Sequence, residues 1–338
     1  MQPANRSGGE MKRSEAVVDD IDRLEAQADL SFAALAGQAG LDTTRYRCVA
    51  QWVKDDVNRL HIVRHYEGRD VPAVVLKQAM RPEDVGDFAA IVDAHGEAQS
   101  VLAPVSGVTV PAILAKDLSV RAYLMAFQPG QTLLDLCRGT KDHAPHLRRA
   151  GRWLSAYHSG TYQEARVFQP KFMARHMLHL AGQMARGERR IKGQKRFIEL
   201  AHLVQDHVAD ATGQPSKTAA KHGDLNAHNI LISGHEVAAY DFLAKSRAPV
   251  GYDIARLLLS YAQTVGDIDS IPDGQAVPPD MMAAFFEGYD FVGPDDPGVR
   301  FLLRIQILTD WNRMNVRMTP KSLNRFRRLR AIARRAFA

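Results

Sequence analysis

The sequence predicts an α+β protein of two lobes: a small antiparallel sheet of five strands, then a larger, mainly helical part. Three observations carry this reading. Strand-like apolar runs separated by turn residues fill the stretch from Tyr46 to Ala79 and resume from Ala112 to Ala126. After Pro129-Gly130, a natural break, apolar residues recur at helical spacing instead. Inside that helical half, two short apolar runs, Asn229–Ser233 and Glu236–Phe242, flank a Gly234-His235 turn and read as a hairpin.

Taken in order, residues 1–14 form a polar tail without the apolar core of a secretion signal, and Met11 is a second possible start. Residues 15–39 read as a helix whose apolar face runs through Val18, Ile21, Leu24, Phe32 and Leu35. Residues 46–53, 59–67 and 72–79 form a meander joined by turn-prone connectors. Residues 82–105 read as one helix or a helix pair, and two further strands close the sheet before residue 128. This gives a first lobe over 15–128 and a second over 129–338. In the second, an amphipathic helix ends at Gly160, residues 170–210 are mostly helical, and helices resume from Tyr252 apart from an acidic, proline-containing loop near 266–280.

Composition narrows the function classes. No apolar run is long enough to span a membrane. Cys48 and Cys137 stand far apart, without a CxxC spacing, as expected of free thiols in a cytoplasmic protein. The net charge of +6 is uneven: eight acids and no Lys or Arg lie between Gly266 and Gly298, whereas the C-terminus is strongly basic. In that basic tail Leu323, Phe326, Leu329 and Ile332 recur at near-helical spacing, as in a helix packed on the second lobe. With no recognised nucleic-acid motif beside it, no nucleic-acid partner is expected.

The chemistry concentrates at residues 221–232, Lys-His-Gly-Asp-Leu-Asn-Ala-His-Asn-Ile-Leu-Ile, and at Asp241 beyond them. A carboxylate at Asp224 can take a proton from an attacking hydroxyl. The Asn229 carbonyl and the Asp241 carboxylate are hard oxygens suited to Mg²⁺, which takes few protein ligands beside phosphate and water. One base, one amide and one carboxylate on a hairpin are the parts of a phosphoryl-transfer site. Such a site needs a cation for the nucleotide phosphates. Lys77, at the end of the third strand, is the candidate, with Glu97 as its expected carboxylate partner and Glu83 or Asp93 as weaker alternatives. His222 and His228 lack a third soft ligand and suit no zinc site; His222 is expected to pack and position the loop.

The order of Lys77, Glu97, the His-Gly-Asp-x4-Asn loop and the Tyr-Asp-Phe carboxylate resembles the aminoglycoside phosphotransferase and choline kinase superfamily, small-molecule kinases of protein-kinase-like bilobal fold. The likeness spans roughly residues 40–335. It implies ATP and Mg²⁺ as cofactors and a small-molecule hydroxyl acceptor: a sugar, amino sugar, amino alcohol or aminoglycoside. It also implies Asp224 as base, Asn229 and Asp241 as metal ligands, and Lys77 on the α/β-phosphates. Residues 122–136 resemble the interlobe hinge, which would place adenine on the backbone near Met125 to Phe127. Asp253 would buttress the catalytic loop, and Asn58 matches an asparagine of the phosphate-covering turn. Two departures stand out. That turn carries Asp55 and Asp56 in place of glycines, and two aspartates there repel a triphosphate unless they point away. Leu243 follows Asp241-Phe242 where protein kinases have glycine. The alternative reading is a pseudokinase, or a nucleotide-binding scaffold acting through a partner.

Overall fold

A computed structural model describes residues 15–56, 59–81 and 83–338. The N-terminal tail and the role assigned to Asn58 lie outside the described residues. The chain folds as two compact units. One contains the described residues up to Ser100 together with Val110–Pro129; the other contains Val101–Thr109 and Gly130–Ala338.

The first unit is a five-stranded antiparallel sheet with a helix on each face. Helix α1 (Glu15–Gln38) precedes strands β1 (Tyr46–Asp56), β2 (Arg59–Gly68) and β3 (Val71–Arg81). Helix α2 (Val85–Leu102) and the two-residue strand β4 (Val108–Thr109) follow, and then β5 (Ile113–Asp117) and β6 (Ala122–Ala126). The strand order is β1-β2-β3-β6-β5, so the last strand inserts between β3 and its own hairpin partner. Period-2 alternation sorts the side chains by face. Val74 and Leu76 of β3 share a core with Leu24, Phe32 and Leu35 of α1. Val75 and Ala79 pack on the other side with Phe88 and Val92 of α2. The stretch read as one helix or a helix pair thus holds a single helix, Val85–Leu102. Lys77 lies inside β3, opposite Val63 and Tyr123, not at a strand end as expected, because the strand runs on to Arg81.

The second unit is mainly helical. It comprises β7 (Gln131–Thr132), α3 (Leu133–Gly139), α4 (Ala144–Gly160), β8 (Glu164–Val167), α5 (Lys171–Ala185), α6 (Gln194–Leu203), α7 (Val208–Ala211) and β9 (Pro215–Ala220). Then come the hairpin β10 (Ile230–Ser233) and β11 (Glu236–Ala239), β12 (Arg247–Pro249), α8 (Gly251–Thr264), α9 (Pro279–Gly288), α10 (Pro297–Asn312) and α11 (Pro320–Ala336). Two small sheets, β4-β11-β10-β7 and β12-β9-β8, brace the loop between β9 and β10. Strand β4 pairs in parallel with β11, and Trp153 Nε1 donates to the Thr109 carbonyl at 2.7 Å, which draws Val101–Thr109 into this unit. Gly151 of α4 and Gly288 of α9 let those helices meet closely, since a Cβ on either would collide with facing backbone. The basic α11 packs as its apolar spacing predicts, burying Phe326, Leu329 and Ile332. Among the described residues no helix is long and apolar enough to cross a membrane.

Candidate functional site

Strand β9 delivers the chain into a loop whose every turn is hydrogen-bonded. The buried carboxylate of Asp253, in the first turn of α8, accepts from the backbone N–H of His222 at 2.7 Å and of Gly223 at 3.0 Å. His158 of α4 donates to the same carboxylate through Nε2 at 3.4 Å. Burial alone would push Asp253 up. The bond from the His158 imidazole and the His222 N–H outweigh burial and hold its carboxyl below the usual range. At Gly223 the backbone turns with φ +86°, and a Cβ would sit 2.9 Å from the Cβ of Leu243. Glycine satisfies both constraints.

His222 is fully buried and engaged at both nitrogens. Nε2 lies 3.1 Å from the Tyr240 carbonyl and so donates, while Nδ1 accepts from the Asp224 N–H at 3.4 Å. This is the neutral tautomer, in keeping with burial, which pushes the imidazole down. Phe242 packs against the ring at 4.3 Å between centroids, and Trp153 meets it edge-on at 6.1 Å.

Two amides then hold Asp224. The side-chain nitrogens of Asn226 and Asn229 both donate to the Asp224 carbonyl at 2.9 Å, and the Asn226 oxygen accepts from the His228 N–H at 2.9 Å. Because Asn229 spends its nitrogen on the loop, its Oδ1 is the atom left to serve a cation. The hairpin register pairs Ile230 with Ala239, and Tyr240 N–H donates to the Asn229 carbonyl at 3.2 Å. Asp241 follows at once, with a left-handed φ of 67°. That conformation is uncommon outside glycine and best tolerated by Asp and Asn. Asn229 and Asp241 thus offer two hard oxygens from adjoining positions of one hairpin. The donor set fits a Mg²⁺ ion completed by phosphate and water, which needs no larger protein cage.

Several supports escaped sequence reasoning. Arg256 of α8 donates from Nη2 to Asp224 Oδ1 at 2.9 Å and from Nη1 to the buried Asp310 of α10 at 3.0 Å. Arg256 stands one turn after Asp253 on one helix face, a spacing that could have flagged it. Asp310 gave no local signal. His158 and Asn226 were likewise unassigned.

In the first unit, Lys77 is half-buried and stands between Val75 and Ala79 on the face covered by α2, the helix that carries the half-buried Glu97. Asp55 accepts from Arg81 Nη2 at 2.8 Å, so one of the two turn aspartates is charge-paired. Met125 lies in β6 opposite Val75 and Ile113. The Phe127 N–H donates to the Ala73 carbonyl at 2.9 Å. The Phe127 ring stacks on His65 at 4.1 Å.

A family model described as the phosphotransferase enzyme family matches residues 57–302. No curated protein matches. Among solved structures, the chain is similar to a macrolide 2'-phosphotransferase from Brachybacterium faecium at 17% identity and TM-score 0.54, with 92% of this chain and 97% of that one covered. It is similar to an amicoumacin kinase at 14% identity and TM-score 0.53, with 94% and 95% covered. It is also similar to a putative fructosamine-3-kinase from Thermobifida fusca at 17% identity and TM-score 0.51, with 88% and 98% covered. At these identities the likeness to solved structures is one of fold: a bilobal, protein-kinase-like arrangement of a small sheet unit and a larger helical one.

Proposed function

Because this chain belongs to the phosphotransferase enzyme family, within the aminoglycoside phosphotransferase and choline-kinase-like superfamily, we propose that it moves the γ-phosphate of Mg-ATP to a hydroxyl of a small molecule. The acceptor class is a sugar, amino sugar, amino alcohol or aminoglycoside. The observation that carries the proposal is the loop itself. Asp253, Asn226, Asn229 and His222 pin the backbone of residues 222–229 around one carboxylate, Asp224. In this reading Asp224 orients the acceptor hydroxyl and takes its proton. The hydroxyl oxygen bonds to the γ-phosphorus as the bond to the β–γ bridging oxygen breaks, releasing ADP. Asn229 and Asp241 are the residues that would hold Mg²⁺, which when bound neutralises phosphate charge. Lys77, with Glu97 as its carboxylate partner, is assigned to the α/β-phosphates, and the backbone from Met125 to Phe127 to the adenine.

The scaffold alternative drew support from aspartates in the phosphate-covering turn, and the Arg81–Asp55 pair weakens that support. The test is Mg-dependent ATP consumption against a panel of sugars, amino sugars, amino alcohols and aminoglycosides, with Asp224→Asn beside the wild type. Acceptor-stimulated turnover that disappears in the variant is expected. Nucleotide binding with no stimulation by any acceptor class would favour the scaffold, and no nucleotide binding at all would sink both readings.

A further inference from the structure

The cluster around Asp310 is a buried polar construction in the second unit that the proposed reaction does not use. Asp310 is 1% exposed and carries a carboxylate that burial would otherwise penalise. Four donors from three helices saturate it. Oδ1 accepts from Arg256 Nη1 at 3.0 Å and from Gln306 Nε2 at 2.9 Å. Oδ2 accepts from Gln263 Nε2 at 2.8 Å and from Arg325 Nη2 at 3.3 Å. Arg325 of α11 also donates from Nε to Gln263 Oε1 at 2.9 Å. Arg256 and Gln263 stand two turns apart on one face of α8, so both reach the same carboxylate. Arg256 has its second fork nitrogen on Asp224 Oδ1 at 2.9 Å, which makes a continuous chain Asp224–Arg256–Asp310–Arg325 of alternating charge.

We infer that Arg256 is a positioning residue for the base, and that Asp310, locked by α8, α10 and α11, is what holds Arg256 in register. This rests on the reading of Asp224 as the base. A purely structural network would tie helices together and end there. This one ends on the carboxylate of a loop residue whose backbone is already fixed, by Asn226 and Asn229 at its carbonyl and by His222 at its N–H. What Arg256 adds is the orientation of the carboxylate plane. A guanidinium gripping two carboxylates through two nitrogens of one rigid fork has little freedom to rotate, whereas a lysine ammonium has no such fork.

The test compares wild type with Arg256→Ala, Arg256→Lys and Asp224→Asn. Misplacing a reacting group by about 1 Å costs on the order of 100-fold in rate. Arg256→Ala should therefore lose kcat on about that scale, with KM for ATP and nucleotide affinity unchanged. Methylguanidinium added to Arg256→Ala should restore part of the turnover and do nothing for Asp224→Asn. Arg256→Lys, which keeps the charge and guards against a variant that fails to fold, should lose kcat while keeping the wild-type unfolding midpoint. Wild-type kcat in both Arg256 variants, or a loss that follows the unfolding midpoint and resists methylguanidinium, would overturn the inference. If the wild type has no turnover that Asp224→Asn abolishes, it is the base assignment that fails. The crystal structure of Arg256→Ala then decides the positioning claim: an Asp224 carboxylate unmoved from its wild-type rotamer overturns it, and one swung away supports it.

Discussion

Replacing Asp253 by asparagine is the sharpest test of how the loop is held. The substitution keeps the shape and removes the charge. Asp253 Oδ2 receives the His222 N–H at 2.7 Å and Oδ1 receives the Gly223 N–H at 3.0 Å. Asparagine has one oxygen, so whichever way its amide turns, one of these buried backbone donors faces an NH₂ group. An unsatisfied buried donor costs about 1–3 kcal/mol. The surviving bond falls from charge-assisted to neutral strength, a further loss of about 1 kcal/mol. His158 can turn its acceptor face to the new amide, so the long 3.4 Å contact adds little. The sum is about 3 kcal/mol, which corresponds to roughly a 100-fold change in an equilibrium constant. Native-state hydrogen exchange reads this directly. Protection of the His222 and Gly223 amides should fall about 100-fold in the variant, since exchange reports the free energy of local opening, while amides of β1 to β3 keep their wild-type protection. Protection at these two amides retained to within a few fold would refute the account, because the two short bonds would then not be what closes the loop.

Two further predictions follow from the same loop. Gly223→Ala meets both a left-handed backbone and a Leu243 Cβ 2.9 Å away, and should cost about 2–3 kcal/mol in urea unfolding of the second unit. In a Leu243→Gly background, which removes that Cβ, the same substitution should cost only the backbone share of about 1–2 kcal/mol; no cost there would show that φ carries none. The buried His222 has its imidazole pushed down by burial, so on acidification the unfolded chain takes up that proton before the folded one. Stability from this group is therefore complete above the unfolded value of about 6.5 and declines as pH falls below it, by at most about 1.4 kcal/mol per pH unit. His65, His146 and His207 are shifted down for the same first reason, burial, and add slope of the same sign. Unfolding free energies between pH 7 and 5 should fall less steeply in His222→Gln than in the wild type. Equal slopes would mean that His222 takes up its proton at the same pH in the fold as in the unfolded chain, and would refute the account.

The long elements were legible in the sequence because they announce themselves locally. The apolar face of α1 and the alternation of β1 to β3 are periodic over ten residues or more, and the structure places both as the pattern indicated. Strands β4, β7, β8 and β12 span two to four residues each, too short for any period, and exist because a neighbouring strand supplies the pairing. Lys77 reads as near a strand end because apolar character stops there, but the ladder to β2 continues to Arg81, since backbone pairing does not require apolar side chains.

The site divides along the same line. Asp224, Asn229 and Asp241 were readable because one hairpin brings them together, so their distance in space follows their distance in sequence. What aims them comes from far away. His158 reaches Asp253 across 95 residues and Arg256 reaches Asp310 across 54, each from a different helix of the second unit. A buried carboxylate such as Asp310 looks in the sequence like any acid on an amphipathic helix. Only the packing of α8, α10 and α11 reveals that it faces inward and must be saturated. The residues proposed to carry the chemistry can therefore be read from a short motif, but those that fix the motif's geometry cannot. Differences in how well chains of this family use the same loop should then trace to such distant donors as often as to the motif.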